Sequence, residues 1–301
     1  MSDLKSSVED CLKRESRIHS SDKIVSMKSV GGGRINKAYL VKTATGSQYF
    51  VKQKGESTSF DKSMCVRMFQ TEIDGLRGFR KINTIRVPEP ICVGELSNGA
   101  FIITEAIEMR PLCNERLLGE KLAAMHLVKG PDRFGLDTDN FIGSIPQPNA
   151  WHESWVDFLR MRLEFQFKLA QLPAPLDKQA NELLARLPEI FKDTEIVPSL
   201  IHGDLWSGNC AADEDGNPVI YDPAVYWGHH EAELGAMRLF GGYGKEFYSA
   251  YHSRIPKAPG FDTRGMIYEL YHIVNHYNLF GNRFLGQCQN LLERILSKHV
   301  V

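Results

Sequence analysis

The segment Leu200-Ile201-His202-Gly203-Asp204-Leu205-Trp206-Ser207-Gly208-Asn209, followed by Ile220-Tyr221-Asp222-Pro223, decides how this chain is interpreted. It contains a carboxylate at Asp204, an amide five residues later at Asn209, and a second carboxylate at Asp222. Mg²⁺ is a hard ion that prefers carboxylate and amide oxygens. A general base must lie within hydrogen-bond reach of the hydroxyl that it activates. The segment therefore offers a base and two magnesium ligands.

The same residue types occur in the same order in the catalytic loop of protein kinases, where an Asp precedes an Asn by five positions and a second Asp binds Mg²⁺. This order predicts Asp204 as the catalytic base, and Asn209 and Asp222 as ligands of Mg²⁺. Phosphoryl transfer needs mainly positioning and neutralisation of charge. Each residue alone is more simply explained as a turn residue, but the ordered set favours phosphoryl transfer from ATP.

The composition is that of an ordinary globular protein. The 301 residues are 43% hydrophobic and 24% charged, enough for one large or two modest domains. The net charge of −1 gives no reason to expect nucleic acid or an anionic membrane as a partner. No apolar run has the length of a membrane span, and residues 1–17 lack the apolar stretch of a signal peptide. The six cysteines are scattered without a C-x-x-C pair, which favours reduced thiols and a cytoplasmic location.

Hydrophobic periodicity predicts an α+β, two-lobed protein-kinase-like fold. The first third of the chain is predicted as one helix, 63–80, and five short strands, 23–30, 37–42, 48–52, 91–95 and 101–104. The remainder is predicted as helices at 117–127, 151–172, 179–191 with a break near Pro188, 232–240, 245–251, 263–280 and 285–297. We therefore expect an N-lobe at 1–104, a hinge at 105–110 and a helical C-lobe at 111–301, with the nucleotide in a cleft between the lobes.

A glycine-rich turn, Gly31-Gly32-Gly33, separates the first two predicted strands. It is not a Walker A loop, which carries G-K-[ST] and opens a helix. It also departs from G-x-G-x-x-G, because Asn36 occupies the last glycine position. A plain hairpin tip is an open alternative. Its place in the chain nevertheless predicts that Gly32 and Gly33 cover the phosphates with backbone N–H groups.

Two further residues of the predicted N-lobe fit a nucleotide site. Lys52 ends the strand Tyr49-Phe50-Val51-Lys52 and is predicted to contact phosphates, while Glu72, in the following helix, orients it through an ion pair. Asp74 is the rival carboxylate, but two residues along a helix it faces away from Glu72. The backbone from Glu105 to Ile107 is predicted to bind adenine.

On the acceptor side, Trp206 flanks the base and is predicted to contact the substrate. His229 is also assigned to the acceptor pocket, since His229 and His230 follow Asp222 closely. His126 is predicted to be a packed residue at a helix end rather than a catalytic group. Acidic residues at Glu231 and Glu233 leave open a pocket for a polycationic acceptor.

The segment 202–209 with Asp222-Pro223-Ala224 resembles the fructosamine/ketosamine-3-kinase family, within the aminoglycoside-phosphotransferase-like kinases. The His-Gly-Asp form differs from the His-Arg-Asp of protein kinases, and a Trp two residues after the Asp narrows the resemblance. It extends through Gly31-Gly32-Gly33, Phe50-Val51-Lys52, Tyr226-Trp227-Gly228-His229, Leu239-Phe240-Gly241-Gly242, Phe247-Tyr248-Ser249-Ala250-Tyr251 and Leu279-Phe280-Gly281.

This resemblance implies ATP- and Mg²⁺-dependent phosphorylation of the sugar O3 of ketosamines, either small molecules or glycated proteins. The phosphorylated adduct is unstable and leaves the amine, so the reaction implies deglycation. Many family members carry a Cys in the Gly-rich loop that serves redox control, whereas this chain has Arg34 there. Two alternatives stay open: a kinase for an aminoglycoside or amino alcohol, and a pseudokinase scaffold, which the intact Lys52, Asp204, Asn209 and Asp222 disfavour.

Overall fold

The chain folds into two compact units, seen here in a computed structural model that describes residues 2–31, 36–55 and 60–298. The first unit comprises the chain up to Pro111 together with Ala211–Tyr221, and the second comprises Leu112–Cys210 and the chain from Asp222 onward. The predicted α+β class is confirmed. The sequence predicted two lobes that are each one continuous stretch of chain. In the structure, the short segment Ala211–Tyr221 belongs to the first unit instead.

The first unit is built on a five-stranded antiparallel sheet with the strand order β1-β2-β3-β5-β4. Val51 of the central strand lies opposite Tyr39 and Ile103, and all three side chains are buried. The five strands predicted from alternating apolar residues are therefore present. They are β1 (Ile24–Val30), β2 (Lys37–Thr43), β3 (Gln48–Gly55), β4 (Pro90–Leu96) and β5 (Gly99–Glu105).

Two helices accompany this sheet, although the sequence predicted only one helix in the first third. The predicted helix is α2 (Lys62–Ile82), which begins where the side chain of Asp61 accepts a hydrogen bond from the Met64 amide. The additional helix is α1 (Ser2–Arg14). It buries Leu4, Val8 and Leu12, whose four-residue spacing is a helical signal that the prediction overlooked.

The expectation of reduced thiols is wrong for one pair of cysteines. Cys11 of α1 and Cys92 of β4 form a disulfide although 81 residues separate them. The pairing arises because α1 packs against β4, and no local sequence pattern reports such a contact. Cys288 carries a free thiol that is buried in the core of the second unit.

The second unit is mainly helical, as predicted. Its helices are α3 (Glu115–His126), α4 (Trp155–Ala170), α5 (Ala174–Phe191), α6 (His230–Phe240), α7 (Lys245–Arg254), α8 (Phe261–Phe280) and α9 (Leu285–Leu296). The break predicted near Pro188 is absent, and α5 runs through it. Pro188 lies within the last turn, and the buried neighbours Leu184, Leu187 and Phe191 hold the helix in place despite the missing N–H.

Six short strands were not predicted: β6 (Asn140–Ile142), β7 (Ile145–Gln147), β8 (Ser199–Ile201), β9 (Cys210–Ala212), β10 (Pro218–Ile220) and β11 (Tyr226–Gly228). Each has three residues, too few to show a two-residue period. They pair as β6 with β7, β8 with β11 and β9 with β10.

Helix α8 is the centre of the second unit's core. It packs against α4, α6 and α9, and Ile267, Leu270 and Val274 are fully buried. A helix that is buried on most of its circumference belongs to the interior of a domain. It thereby supports α6, whose side chains contact the loop that follows β8. None of the helices in the described ranges has both the length and the apolar character needed to cross a membrane.

Candidate active site

The pairing of β8 with β11 places the two predicted acidic residues at one end of a strand pair. Ile201, the last residue of β8, lies opposite Tyr226, the first residue of β11. The Ala224 amide donates a 2.8 Å hydrogen bond to the His202 carbonyl, which extends the contact beyond the strands. The chain after β8 reaches Asp204, and the chain before β11 contains Asp222. The fold therefore brings these residues together across an 18-residue separation.

Gly203 fits its position because the backbone there is left-handed and crowded. Its φ is +80°, and a Cβ atom would lie 2.3 Å from the carbonyl oxygen of Ala224. A side chain would push the loop away from the segment that follows Asp222. The His-Gly-Asp form of the loop thus has a steric cause in this structure.

Glu233 of α6 binds the backbone of this loop, a role that the sequence did not predict. Its buried carboxylate accepts hydrogen bonds from the backbone amides of His202 and Gly203, the latter at 3.1 Å. Hydrogen bonds to a carboxylate are stronger than neutral ones. Burial acts to raise the pKa of Glu233, but hydrogen bonding and the charge of neighbouring His126 and His202 hold that pKa below its usual value. The carboxylate is thus kept ionised.

Neither acidic residue near the start of α6 forms an exposed acidic pocket. Glu231 and Glu233 are 2% and 1% exposed, respectively. Both oxygens of Glu231 accept hydrogen bonds from buried Arg264, at 2.7 and 2.8 Å. The two carboxylates are therefore used inside the second unit, which corrects the idea that they face a polycationic acceptor.

Asp204 is half-buried and bonded to Asn209. The Asn209 side-chain nitrogen donates to the backbone carbonyl of Asp204 at 2.9 Å and to its carboxylate at 3.3 Å. With Nδ2 so engaged, Oδ1 is the Asn209 atom suited to a hard cation. Burial raises the pKa of Asp204 well above its usual value, and the negative charges of Asp222 and Glu233 raise it further.

These three residues fit a Mg²⁺ site by the chemistry of their donors. Asp204 and Asp222 are close enough that their charges oppose each other, and Asn209 adds an amide oxygen. Asp222 has a left-handed backbone, with φ +58°, a conformation that few non-glycine residues adopt. A divalent cation would relieve the repulsion that the protein carries without it.

Trp206 stands at the side of this loop. Its ring covers Gly208, where a Cβ atom would lie 2.3 Å from the ring. It also packs against Phe240 of α6, with ring centroids 5.6 Å apart, and Phe240 in turn contacts His276 at 4.8 Å. Trp206 and Phe240 are both partly exposed. They therefore form an aromatic surface two residues along the loop from Asp204.

His229 lies in the interior of the second unit rather than on that surface. It is 1% exposed, and its Nδ1 lies 2.7 Å from the hydroxyl of buried Tyr268. Burial lowers its pKa well below the usual value, which keeps the ring neutral. His229, His230 and Glu231 present metal-type ligand atoms within 4.8 Å of one another, but Arg264 already supplies positive charge to Glu231.

In the first unit, the predicted ion pair between Lys52 and Glu72 is present. Lys52 Nζ lies 2.5 Å from Glu72 Oε1, and the side chains are 7% and 11% exposed. Lys52 belongs to β3 and Glu72 to α2. Asp74 instead bonds Gln70 and Arg77 on the surface, as its position two residues further along the helix predicts. Gly32 and Gly33 lie outside the described residues.

The end of β5 is tied to the segment before β4. The Glu105 amide donates to the Glu89 carbonyl at 2.8 Å, and the Glu89 amide donates to the Glu105 carboxylate at 3.1 Å. Because the Glu105 amide is engaged, a hydrogen bond from adenine to this residue would use its carbonyl. Ile107 follows β5 in irregular backbone.

A Lys–Glu pair on a sheet and helix, together with an Asp/Asn/Asp loop on a helical unit, defines a protein-kinase-like phosphotransferase. The protein-family model "Fructosamine kinase" matches residues 8–298. A protein-ribulosamine 3-kinase, chloroplastic, from Oryza sativa subsp. indica is 42% identical over 91% of this chain and 80% of its own. A ketosamine-3-kinase from Mus musculus is 38% identical over 89% of this chain and 94% of its own.

A crystal structure of a putative fructosamine-3-kinase from Haemophilus somnus 129PT has a TM-score of 0.83 at 26% identity, covering 97% of both chains. The chain belongs to the fructosamine kinase family, which confirms the resemblance found in the sequence.

Proposed function

We propose that this chain transfers the γ-phosphoryl group of ATP to the sugar O3 of ketosamines and so promotes deglycation. The observation that carries the proposal is the Asp204–Asn209–Asp222 arrangement, with its base and hard oxygen donors, in a chain of the fructosamine kinase family. Relatives named ketosamine-3-kinase and protein-ribulosamine 3-kinase support the acceptor class.

Asp204 orients the sugar hydroxyl and takes its proton as the O3–phosphorus bond forms and the bond from the γ-phosphorus to the bridging oxygen of ADP breaks. Asn209 Oδ1 and the Asp222 carboxylate would hold Mg²⁺, which would neutralise the phosphate charge. Positive charge beside Asp204 lowers a pKa that burial and neighbouring carboxylates raise in its absence. A cation there would therefore favour the ionised form of the base.

Lys52 contacts the phosphates with its position set by Glu72, because the buried ion pair restricts the flexible lysine chain. Gly32 and Gly33 offer backbone N–H groups to the same phosphates. The Glu105 carbonyl and the Ile107 amide bind the adenine edge.

On the acceptor side, Trp206 and Phe240 form an apolar wall beside the base, against which the carbon chain of a ketosamine packs. His229 is buried against Tyr268 and Trp155, so any influence of His229 on the acceptor runs through the side chains around it. The acceptor is a small ketosamine or a glycated protein.

The decisive experiment measures ADP release with ribulosamine, erythrulosamine, fructosamine, choline and kanamycin, with and without Mg²⁺. We expect Mg²⁺-dependent turnover of a ketosamine, and phosphate on its 3-hydroxyl by product NMR. The Asp204→Asn variant, compared at equal folded protein, is the control for contaminating kinases. Turnover of choline or kanamycin with none on the ketosamines would refute the proposal.

A further inference from the structure

Arg86, which precedes β4, joins two carboxylates of the first unit. Its Nη1 donates to Asp213 Oδ2 and its Nη2 donates to Glu105 Oε1, both at 2.8 Å. The Asp213 side chain is only 5% exposed, whereas that of Arg86 is 41% exposed. The guanidinium has the planar fork of donors needed to hold two acceptors at once. Arg86 therefore connects the end of β5 with the segment Ala211–Tyr221.

The backbone makes the same connection. The Ile220 amide donates to the Arg86 carbonyl at 3.0 Å, and Arg86 and Val219 form a parallel bridge. On the other strand, Arg110 and Ala212 exchange two hydrogen bonds of 2.8 Å. Both strands of the β9–β10 hairpin are thus fixed to the first unit, which explains why this segment belongs to that unit.

Asp213 uses its two oxygens for different purposes. Oδ1 accepts from the amides of Asp215 and Asn217, at 3.1 and 2.8 Å, and so shapes the turn of the hairpin. Oδ2 accepts from Arg86. The bond to Arg86, followed by the backbone bonds, holds the pKa of Asp213 below its usual value despite some desolvation. One carboxylate therefore links the turn conformation to Arg86.

The two ends of this hairpin are adjacent in sequence to the predicted magnesium ligands. Asn209 immediately precedes β9, and Asp222 follows the last residue of β10 by two positions. A rotation of the hairpin, or a change in the spacing of its two strands, would therefore move one ligand relative to the other. Mg²⁺ tolerates this poorly, because it demands near-ideal octahedral geometry with short bonds.

We propose that Arg86 is a positioning residue for the magnesium ligands: it fixes the β9–β10 hairpin through Asp213 and couples that hairpin to the end of β5 through Glu105. This inference rests on the proposed function, since Asn209 and Asp222 are ligands only in a phosphotransferase.

The test uses two variants at the pair and one matched control. Arg86→Met removes both charged hydrogen bonds and keeps a side chain of similar length. Asp213→Asn removes the acceptor of Arg86 while an oxygen can still accept from the Asp215 and Asn217 amides. Arg17→Gln is the control, because it breaks another arginine–carboxylate pair of the same unit, with Glu89 at 2.5 Å, which does not involve the hairpin.

We expect Arg86→Met and Asp213→Asn each to raise the Mg²⁺ concentration for half-maximal ATP-analogue binding about fivefold, equivalent to about 1 kcal/mol. The double variant should show no larger shift than the stronger single variant, because both single variants remove the same Arg86–Asp213 interaction. In the metal-free protein, amide hydrogen exchange should increase within 211–221 for both variants. Arg17→Gln should leave the Mg²⁺ dependence and this exchange within experimental error of wild type.

A fall in thermal stability without a change in Mg²⁺ dependence would show a purely structural role and overturn the inference. An equal shift in Arg17→Gln, or additive shifts in the double variant, would also overturn it. The binding readout separates this inference from the proposed function: a wild type that binds Mg²⁺ and nucleotide but turns over no ketosamine refutes the acceptor only. A wild type whose nucleotide binding does not depend on Mg²⁺ refutes both.

Discussion

Replacing Glu233 with glutamine tests whether the catalytic loop is held by a buried charge. Glutamine has the same shape but carries one acceptor oxygen and one NH₂ donor. One of the two loop amides, of His202 or Gly203, keeps an acceptor, while the other N–H faces the new donor. The variant therefore loses two charge-assisted hydrogen bonds, regains one neutral bond and leaves one buried amide without an acceptor.

The magnitude follows from those contacts. Hydrogen bonds to charged groups contribute about 1.5–3 kcal/mol each, and a neutral one about 1 kcal/mol. The loss of two and the gain of one lower the free energy of unfolding by about 2–5 kcal/mol. The affected amides immediately precede Asp204, so the base moves with them. A misplacement of about 1 Å can cost about 100-fold in rate, and we expect kcat to fall by about 10- to 100-fold.

The assay combines urea denaturation with kcat per mole of folded protein. Glu231→Gln is the matched control, since Glu231 lies on the same helix, is equally buried and bonds Arg264 rather than the loop. Breaking a buried ion pair costs about 3–5 kcal/mol, so this control loses comparable stability. Its kcat should stay within about threefold of wild type because the loop amides keep their acceptor. Equal kcat losses in both variants, or an unchanged kcat in Glu233→Gln, would refute the reasoning.

Three further predictions follow from the site and the core. Asp204→Asn should lower kcat by at least about 100-fold while calorimetry still detects ATP binding, because the base is lost and the nucleotide contacts are not; a variant that keeps a tenth of wild-type kcat contradicts the assignment. Asp222→Ala should abolish the Mg²⁺ dependence of nucleotide affinity, and equal Mg·ATP affinity in both proteins would argue against Asp222 as a ligand. Burial, aided by His276, lowers the pKa of His272 to about 3 from 6.5. As pH falls below 6.5, His272 is protonated in the unfolded chain but stays neutral in the folded chain, so the folded chain loses stability. Urea denaturation at pH 7 and pH 5 should show a loss of about 2 kcal/mol from His272 alone, and equal stabilities would contradict this.

The chemistry of the site was predictable where residue type and spacing carry it. Asp204, Asn209 and Asp222 lie close in sequence, and few reactions need a carboxylate, an amide and a carboxylate in that order. Lys52 and Glu72 were predictable because one lies in a predicted strand and the other in the amphipathic helix that follows it. In both cases the residues lie within about twenty positions of one another, so their types and spacing can be read from one short segment.

The residues that support the site were not predictable in the same way. Glu233 accepts hydrogen bonds from backbone amides thirty residues earlier, and a carboxylate near a helix start looks the same whether it faces solvent or a loop. Arg86 contacts Asp213 across 127 residues. Cys11 and Cys92 pair only because α1 packs on β4. Such contacts depend on tertiary structure and leave no period, spacing or composition in the sequence.

Asp204 and Glu233 differ in the direction of their pKa shifts because their surroundings in the second unit differ. Asp204, Asp222 and Glu233 lie near one another, and their mutual repulsion raises the pKa of Asp204. Glu233 is compensated within the protein by two backbone amides and by His126, 3.8 Å away. Asp204 receives only a 3.3 Å bond from Asn209, too little to offset its burial. Burial and the neighbouring negative charges therefore disfavour the ionised form of Asp204, and a cation bound beside it would favour that form. The contrast between Asp204 and Glu233 is what we expect if Asp204 works beside a bound cation, as the proposed function requires.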